Sequence, residues 1–395
     1  MELVLYYITL FVVSLCATWW IFKKVLNIAV LKNIVDNPDE RKIQRVPVPV
    51  LGGVAVFFGM LVAFAVADTI YDVSNMFAMI CVIMIMLYTG TMDDIIDLSP
   101  WVRFVIEIIV VLLLIFCDGY SIDNFHGLWG VGRLPDLVAI PLTVFACVGI
   151  VNAINLIDGV NGLSSGYCIV TCMIFGLAFI LTGDVGRASL AILSIGALIP
   201  FIFHNVFGKK SKMFIGDGGT MMMGIIMSSF VINALKTHST IAAAVPDNFG
   251  MVAFVLAVLA IPVFDTLRVM TARIVRGTSP FNPDKTHLHH LLLDYHFSHI
   301  GTTAVEILSN LLVIGVWYLA YRLGASVTMQ LYVVIAMGML ITFAFYRFAR
   351  SQERRQTKLY YKMVKIGECT HVGHTRWFGW LTNMLDRNSE IVTKS

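Results

Sequence analysis

The chain has 395 residues, 58% of them hydrophobic and only 13% charged, with a net charge of +3 and a mean hydropathy of +0.82. Soluble domains carry about 25% charged residues, so the composition excludes a soluble globular protein and points to an all-α, polytopic membrane protein. A net charge of +3 says little until the charges are placed along the chain; no nucleic-acid partner is expected.

Apolar runs give about eleven transmembrane helices, over residues 3–22, 51–67, 73–90, 101–117, 134–153, 164–182, 187–204, 219–235, 249–266, 301–321 and 326–346. The first run has no basic residues before it, since Lys23 and Lys24 follow it, so it reads as a retained span and not a cleaved signal. With the N-terminus outside, the loops facing the cytoplasm collect twenty-three Lys and Arg, against four on the opposite side (Arg133, Arg187, Lys236 and Arg322). That asymmetry orients the chain and places the C-terminus in the cytoplasm. Residues 1–346 then form the transmembrane domain with its cytoplasmic loops, and 347–395 a basic tail. Trp377, Trp380, Leu381, Met384 and Leu385 recur in that tail at helical spacing, which suits an amphipathic helix anchored on the inner leaflet. Six of the seven cysteines lie in apolar runs and none forms a C-x-x-C pair, so no disulfide framework is expected.

Five polar stretches interrupt the apolar runs, and all five fall in loops on the cytoplasmic side. The first is Asp36-Asn-Pro38 through Arg41, Lys42, Gln44 and Arg45 to Pro47-Val-Pro49 and the glycine pair Gly52-Gly53. Prolines fix its path, the glycines permit close backbone approach, and its charges equally suit a juxtamembrane patch for anionic lipid. The second is Thr91-Met-Asp93-Asp94-Ile-Ile-Asp97-Leu98. If helix continues through it, Asp93 and Asp97 share a face with Asp94 beside them. Carboxylates this close repel one another, and a hard divalent cation would neutralise them; a solvated acidic loop is the plainer alternative.

Asn152, Asn155 and Asp158 form the third stretch, recurring every three residues before Gly159, Asn161 and Gly162. They make a polar stripe beside a turn able to aim N–H groups at an anion. The fourth, Phe214-Ile-Gly216-Asp217-Gly218-Gly219-Thr220, opens an apolar span, where free N–H groups favour phosphate. Asp217 would there either cap the helix or hold a cation. In the fifth, His287, His289 and His290 follow Pro283, Asp284 and Lys285. No cysteine accompanies them, and two are adjacent, so a zinc site is disfavoured. Donation to phosphate or sugar oxygens fits better, with Lys285, Arg273 and Arg276 adding charge. Asp265 either serves this loop or simply pairs with Arg268.

These five stretches, in this order from about residue 36 to 293, resemble the polyprenyl-phosphate N-acetylhexosamine-1-phosphate transferase family. The HxHH form is similar to its N-acetylglucosamine-1-phosphate branch; the muramoyl-pentapeptide branch carries a different histidine motif. The resemblance implies transfer of N-acetylhexosamine 1-phosphate from a UDP-N-acetylhexosamine to polyprenyl (undecaprenyl) phosphate, releasing UMP at the cytoplasmic face of a bacterial inner membrane. It implies a Mg²⁺ ion, with Mn²⁺ as a substitute, held by Asp217 with Asp93 and Asp94 close by. Asp93, Asp94, Asp158 and His289 make up the implied catalytic set. Lys42, Asn152, Asn155, Asn161, Asn205, Arg273, His287 and His290 are the implied substrate-binding residues. Asn161 stands where the family commonly has aspartate, and Gln44 where a histidine often follows Arg-Lys, so Asn161 is read as binding and not as acid–base. The partners are the lipid bilayer and the two substrates, and a homodimer is compatible with the sequence. A UDP-MurNAc-pentapeptide transferase is the alternative. A cation-coupled transporter is the different-class rival, disfavoured because the acidic motifs lie at the interface and not at mid-membrane.

Overall fold

A computed structural model describes residues 2–38, 44, 46–71, 76–280 and 284–387. Lys42, assigned above to substrate binding, lies outside the described residues. In chain order the helices are α1 (Glu2–Leu31), α2 (Gly52–Ile70), α3 (Phe77–Ile96), α4 (Pro100–Asp118), α5 (Asp136–Leu156), α6 (Leu163–Leu181), α7 (Val185–Phe207) and α8 (Gly216–Leu235). There follow α9 (Thr240–Ala244), α10 (Met251–Val258), α11 (Ala260–Val275), α12 (Leu288–Asp294), α13 (His299–Arg322), α14 (Val327–Met339), α15 (Tyr346–Arg354), α16 (Lys358–Glu368) and α17 (Arg376–Asp386). Two short strands, β1 (Val35–Asp36) and β2 (Val48–Pro49), pair antiparallel before α2.

Among the described residues ten helices are long and apolar enough to cross a membrane, or eleven if the bent pair α10–α11 counts as one. The protein is therefore an all-α, multi-pass membrane protein. The continuous span expected over 249–266 is instead broken: α10 and α11 meet at 75°. Pro262 lies in the first turn of α11, where its missing N–H costs least. The Asn310 amide repairs the break, accepting from the Ile261 N–H and donating to the Val258 carbonyl, each at 3.0 Å. A polar side chain is what lets irregular backbone persist within a span. The last span also departs from one regular helix, passing through a π-turn at Leu340–Phe345 and continuing as helix to Arg354, beyond residue 346.

The chain forms two compact units. The first comprises residues 1–118, 164–226 and 372–395, and the second 119–163 and 227–371. In the first, α1, α2 and α7 pack together. Small residues permit it: a Cβ on Gly196 would lie 2.0 Å from the Ser14 hydroxyl, and one on Gly59 1.8 Å from that of Thr18. Such contacts replace the hydrophobic drive that lipid cannot supply. Beyond β2, the Pro49 carbonyl accepts from Phe214 (2.7 Å), while Gly52 and Gly53 donate to Phe214 (2.9 Å) and Ile215 (2.8 Å). The proline-rich approach therefore fixes the backbone just ahead of Gly216.

The tail helix α17 also belongs to the first unit and packs on α7. Leu385 is buried there, and Phe207 meets the rings of Trp377 and Phe378. Trp377, Trp380 and Met384 stay exposed. The amphipathic helix expected from the sequence thus turns Leu385 and Phe378 toward protein and keeps Trp380 and Met384 outward. In the second unit α10, α13 and α14 pack together, and α11 packs on α5. Buried Gln330 ties the loop ahead of α10 to α14, accepting from Gly250 (3.0 Å) and donating to Asn248 (2.8 Å).

Candidate active site

Each unit carries one cluster of candidate groups. In the first, α3 runs beneath the start of α8 at near backbone contact: a Cβ on Gly90 would lie 2.4 Å from the Asp217 carbonyl carbon. Gly216 has φ +72°, a conformation that favours glycine, and its missing side chain leaves room for the Asp94 carboxylate. Asp94 accordingly accepts from the backbone N–H of Asp217 (3.1 Å) and of Gly218 (3.4 Å). The cap of α8 is thus a carboxylate from another helix, and it takes the N–H groups that the sequence suggested for phosphate.

Asp93 is buried and fully engaged. One oxygen accepts from the Leu98 N–H at 2.8 Å, and the other meets the Arg103 guanidinium at 2.5 Å. The same Arg103 nitrogen reaches Asp217 at 3.2 Å, so one cation bridges two carboxylates. Sequence reasoning left Arg103 out. Its signal was present, as a solitary arginine one turn inside an apolar span, a costly placement usually tied to a partner. Asp97 does not join the cluster. Helix α3 stops at Ile96, and Asp97 takes the left-handed C-cap position, φ 50°, facing solvent.

The donor set suits a hard cation. Asp217 is 35% exposed at its side chain, whereas Asp93 and Asp94 already spend their oxygens on Arg103 and backbone N–H groups. Among the described residues no group of three His, Cys, Asp or Glu side chains is placed to hold a metal ion. One accessible carboxylate, with water and substrate phosphates completing the shell, is the way Mg²⁺ is commonly bound. The residues therefore fit such an ion at Asp217. Asn205 lies nearby in this unit, buried, and donates to the Met213 carbonyl at 3.0 Å, steadying the loop before Gly216.

In the second unit the cluster is built around Asp265. This buried carboxylate takes His287 Nδ1 at 2.8 Å, Arg268 at 2.7 Å and the Leu288 N–H at 3.2 Å. Arg268 also donates to the Thr286 carbonyl (2.5 Å) and stacks over Tyr346 (3.8 Å). Asp265 therefore does pair with Arg268, and it orients His287 as well. The rings of His287 and His289 stack, with centroids 5.5 Å apart and 7° between planes. His289 is 2% exposed, and a Cβ on Gly159 would lie 2.3 Å from its Nε2. The glycine after Asp158 is what lets the two motifs touch. Burial, with the neighbouring His290 and His287, pulls the His289 imidazole well below its ordinary pKa. Burial and His287 likewise bring His290 down to about 4. Both are neutral at pH 7, so they offer N–H donors and not positive charge.

The remaining site residues are placed as follows. Asn152 donates to the Val148 carbonyl (2.9 Å), and Asn155 and Asp158 lie half-buried at the end of α5 and just beyond it. The Asn161 N–H donates to His299 Nδ1 (3.2 Å) and its carbonyl accepts from Thr303 (3.1 Å), which ties this turn to α13. Arg273 is buried. It donates to the Pro280 carbonyl (2.6 Å) and to the Asp284 carboxylate (2.9 Å).

The fold and the two clusters define a multi-pass membrane protein equipped with carboxylates, a bridging arginine and neutral imidazoles. Residues 76–235 match the model of glycosyl transferase family 4. The chain is 32% identical over 290 residues to the probable undecaprenyl-phosphate N-acetylglucosaminyl 1-phosphate transferase of Bacillus subtilis (strain 168), covering 73% of this chain and 78% of that one. It is 29% identical to the undecaprenyl-phosphate α-N-acetylglucosaminyl 1-phosphate transferases of Salmonella typhi (69% of this chain, 72% of that) and Yersinia pestis (73% and 79%). The protein belongs to glycosyl transferase family 4, as a membrane-bound transferase.

Proposed function

We propose that the protein transfers N-acetylglucosamine 1-phosphate from UDP-N-acetylglucosamine to undecaprenyl phosphate, releasing UMP and starting a lipid-linked cell-envelope polysaccharide. The observation that carries the reading, beside the names of the relatives, is the Asp94–Asp217–Arg103 arrangement at the start of α8. Phosphoryl transfer asks chiefly for positioning and for neutralising charge, and this cluster supplies both. The asymmetry of Lys and Arg supports a site on the cytoplasmic side, where UDP-sugars are found, and the reading takes the membrane to be the bacterial inner one.

In the proposed reaction an oxygen of the lipid phosphate attacks the sugar-bearing phosphorus of the UDP-sugar. The new P–O bond forms as the bond to the bridging oxygen breaks, and UMP leaves with that oxygen and its electron pair. A phosphate monoester has a second pKa of about 6 and is mostly dianionic at neutral pH, so no strong base is needed. Asp217 would hold Mg²⁺, which when bound polarises the diphosphate as a Lewis acid. Arg103 offsets the charge of the Asp217 carboxylate and aims it. Asp94 fixes the backbone that carries Asp217, and Asp93 holds Arg103. Within the second unit, neutral His289 and His290 have N–H groups of the kind that donate to phosphate or sugar oxygens, and Asp158, Asn152, Asn155 and Asn161 belong to the same unit.

The test is turnover by purified protein given undecaprenyl phosphate, Mg²⁺ and a panel of labelled UDP-sugars. UDP-N-acetylglucosamine should give labelled lipid and UMP, and Asp217→Asn should abolish this across a Mg²⁺ titration while the protein stays folded. Faster turnover of UDP-MurNAc-pentapeptide, or a near wild-type Asp217→Asn enzyme, would overturn the assignment.

A further inference from the structure

The second unit contains a cavity of about 1070 Å³ that shares Arg268 with the Asp265 cluster, and Lys285 and Arg276 with the histidine stretch, but extends to residues given no part in the reaction above. Its walls come from the end of α11, from Lys285 and Thr286 ahead of α12, and from the last span between Phe343 and Gln356. Seven cationic side chains line it, and Glu353 is the single carboxylate among the lining residues. Some of that charge is already matched. Arg268 is held by Asp265, Arg276 lies 3.8 Å from Asp284, and Arg350 meets Asp294 (2.7 Å) and Glu353 (2.8 Å). The side chains of Arg347, Arg354 and Arg355 have no ion-pair partner among the described residues.

Arg347, Arg354 and Arg355, all in the lining and exposed, concentrate positive charge along one stretch of the chain, where an anion would find complementary partners. Arginine forks are matched to phosphate, which they bind bidentately. The rest of the lining mixes polar Thr271, Thr286, Ser351 and Gln356 with apolar Ala272, Val275 and Phe343; Val275 is 81% exposed, and Phe348, next to Arg347 in the chain, is 48% exposed. A basic cleft continuous with bare apolar surface at the end of a membrane span fits an amphiphile better than a free ion. By the asymmetry of Lys and Arg this end of the span faces the cytoplasm.

We infer that this cavity binds the phosphate-bearing headgroup of an anionic membrane phospholipid, as a site separate from that of the lipid substrate. Binding places the phosphate among Arg347, Arg354 and Arg355 and leaves the acyl chains along Val275 and Phe348. The site does not depend on which sugar phosphate the enzyme transfers, because its readout is lipid binding and not turnover.

The experiment uses the full chain, delipidated in neutral detergent and titrated with phosphatidylglycerol, phosphatidylcholine or soluble glycerol phosphate, with bound lipid counted by native mass spectrometry. Charge near a membrane surface contributes about 1 kcal/mol per Lys or Arg, so removing three should weaken phosphatidylglycerol binding roughly hundredfold. Arg347→Gln/Arg354→Gln/Arg355→Gln is the test variant. All three positions are exposed, and Arg355→Gln alone, expected to cost roughly fivefold, covers misfolding of the triple variant. The control removes equal charge elsewhere in the tail, as Lys362→Gln/Lys365→Gln/Arg376→Gln, and should leave binding unchanged. Equal loss in the control would replace the site with diffuse surface attraction. Equal affinity for phosphatidylcholine would remove the charge argument, and equal affinity for glycerol phosphate the membrane source. Displacement of phosphatidylglycerol by undecaprenyl phosphate at catalytic concentrations would make the cavity the acceptor site; each of these results overturns the inference.

Discussion

Asp386→Asn should loosen the C-terminal helix from the loop that leads to Asp217. In the wild-type protein the Asp386 carboxylate accepts from the N–H groups of Lys209 (3.2 Å), Lys210 (3.1 Å) and Ser211 (3.0 Å), and from the Ser211 hydroxyl (2.7 Å). Four donors converge on two oxygens. A carboxamide keeps one acceptor and turns an NH₂ on the others, so at least one donor loses its partner. Hydrogen bonds to a charged group contribute about 1.5–3 kcal/mol when well buried. Here two of the four are exposed, and a comparable helix-capping carboxylate is worth about 0.5–2 kcal/mol. The expected loss is therefore about 1–2 kcal/mol, roughly a 5- to 30-fold shift in docking. Buried Leu385 and the bond from Thr382 to the Phe207 carbonyl (2.9 Å) remain, so the helix should fray and not detach. Hydrogen exchange at amides 209–211 and 376–386 reads this directly. Burial works to raise the Asp386 pKa, but the donors from Lys210, Ser211 and Lys209 outweigh it and hold the carboxyl below its ordinary value. A depressed folded pKa means the contribution is whole above the unfolded value of about 3.9 and fades as pH falls through the folded one. Protection of these amides should thus drop in acid for the wild type, and the variant should show no such step. Unchanged protection in Asp386→Asn at neutral pH would refute the reasoning.

Gly159→Ala should displace His289, because the new methyl would lie 2.3 Å from an imidazole that is buried and stacked and cannot swing away. Overpacking of this kind costs about 1–3 kcal/mol; turnover is expected to fall more than tenfold while the thermal midpoint moves only a few degrees, and wild-type kinetics would contradict the contact. Asp265→Asn should be the more damaging to the fold, since it leaves Arg268 buried without its charge partner and frees His287. Breaking a buried pair by removing one member costs about 3–5 kcal/mol, which a thermal-unfolding midpoint in detergent should register, and a shift within error would argue against the pairing.

The architecture was legible from the sequence because membrane spans are written in local hydropathy. Ten or eleven helices emerge from apolar runs alone, and their disagreements with the structure are physical ones. Hydropathy is blind to the 75° bend at Leu259, since the residues on either side are equally apolar; the device that stabilises it, Asn310, lies 49 positions away from Ile261. The amide and histidine motifs were likewise visible as composition. What periodicity could not give was their contact, which depends on Gly159 having no side chain to oppose His289. The partners of Arg273 were equally invisible in composition: the structure buries it against Asp284 and the Pro280 carbonyl.

The acidic cluster shows the limit most sharply. Asp93, Asp94 and Asp217 are chemically equivalent in the sequence, and only their partners distinguish them. Asp94 is 123 positions from the N–H it caps, and Arg103 is 114 positions from Asp217, so neither pairing leaves a local trace. Both depend on α3 and α8 approaching at backbone distance over Gly90, which brings the end of one helix to the start of the other. Once that crossing is made, the three carboxylates take different tasks. Asp94 satisfies a helix terminus, Asp93 anchors an arginine, and Asp217 is bridged by that arginine with its side chain partly open. Arg103→Gln is then the substitution that separates charge from shape at this crossing. It would leave two carboxylates without their shared counter-ion, and extra Mg²⁺ should offset its effect in proportion to how far the ion can take over that role.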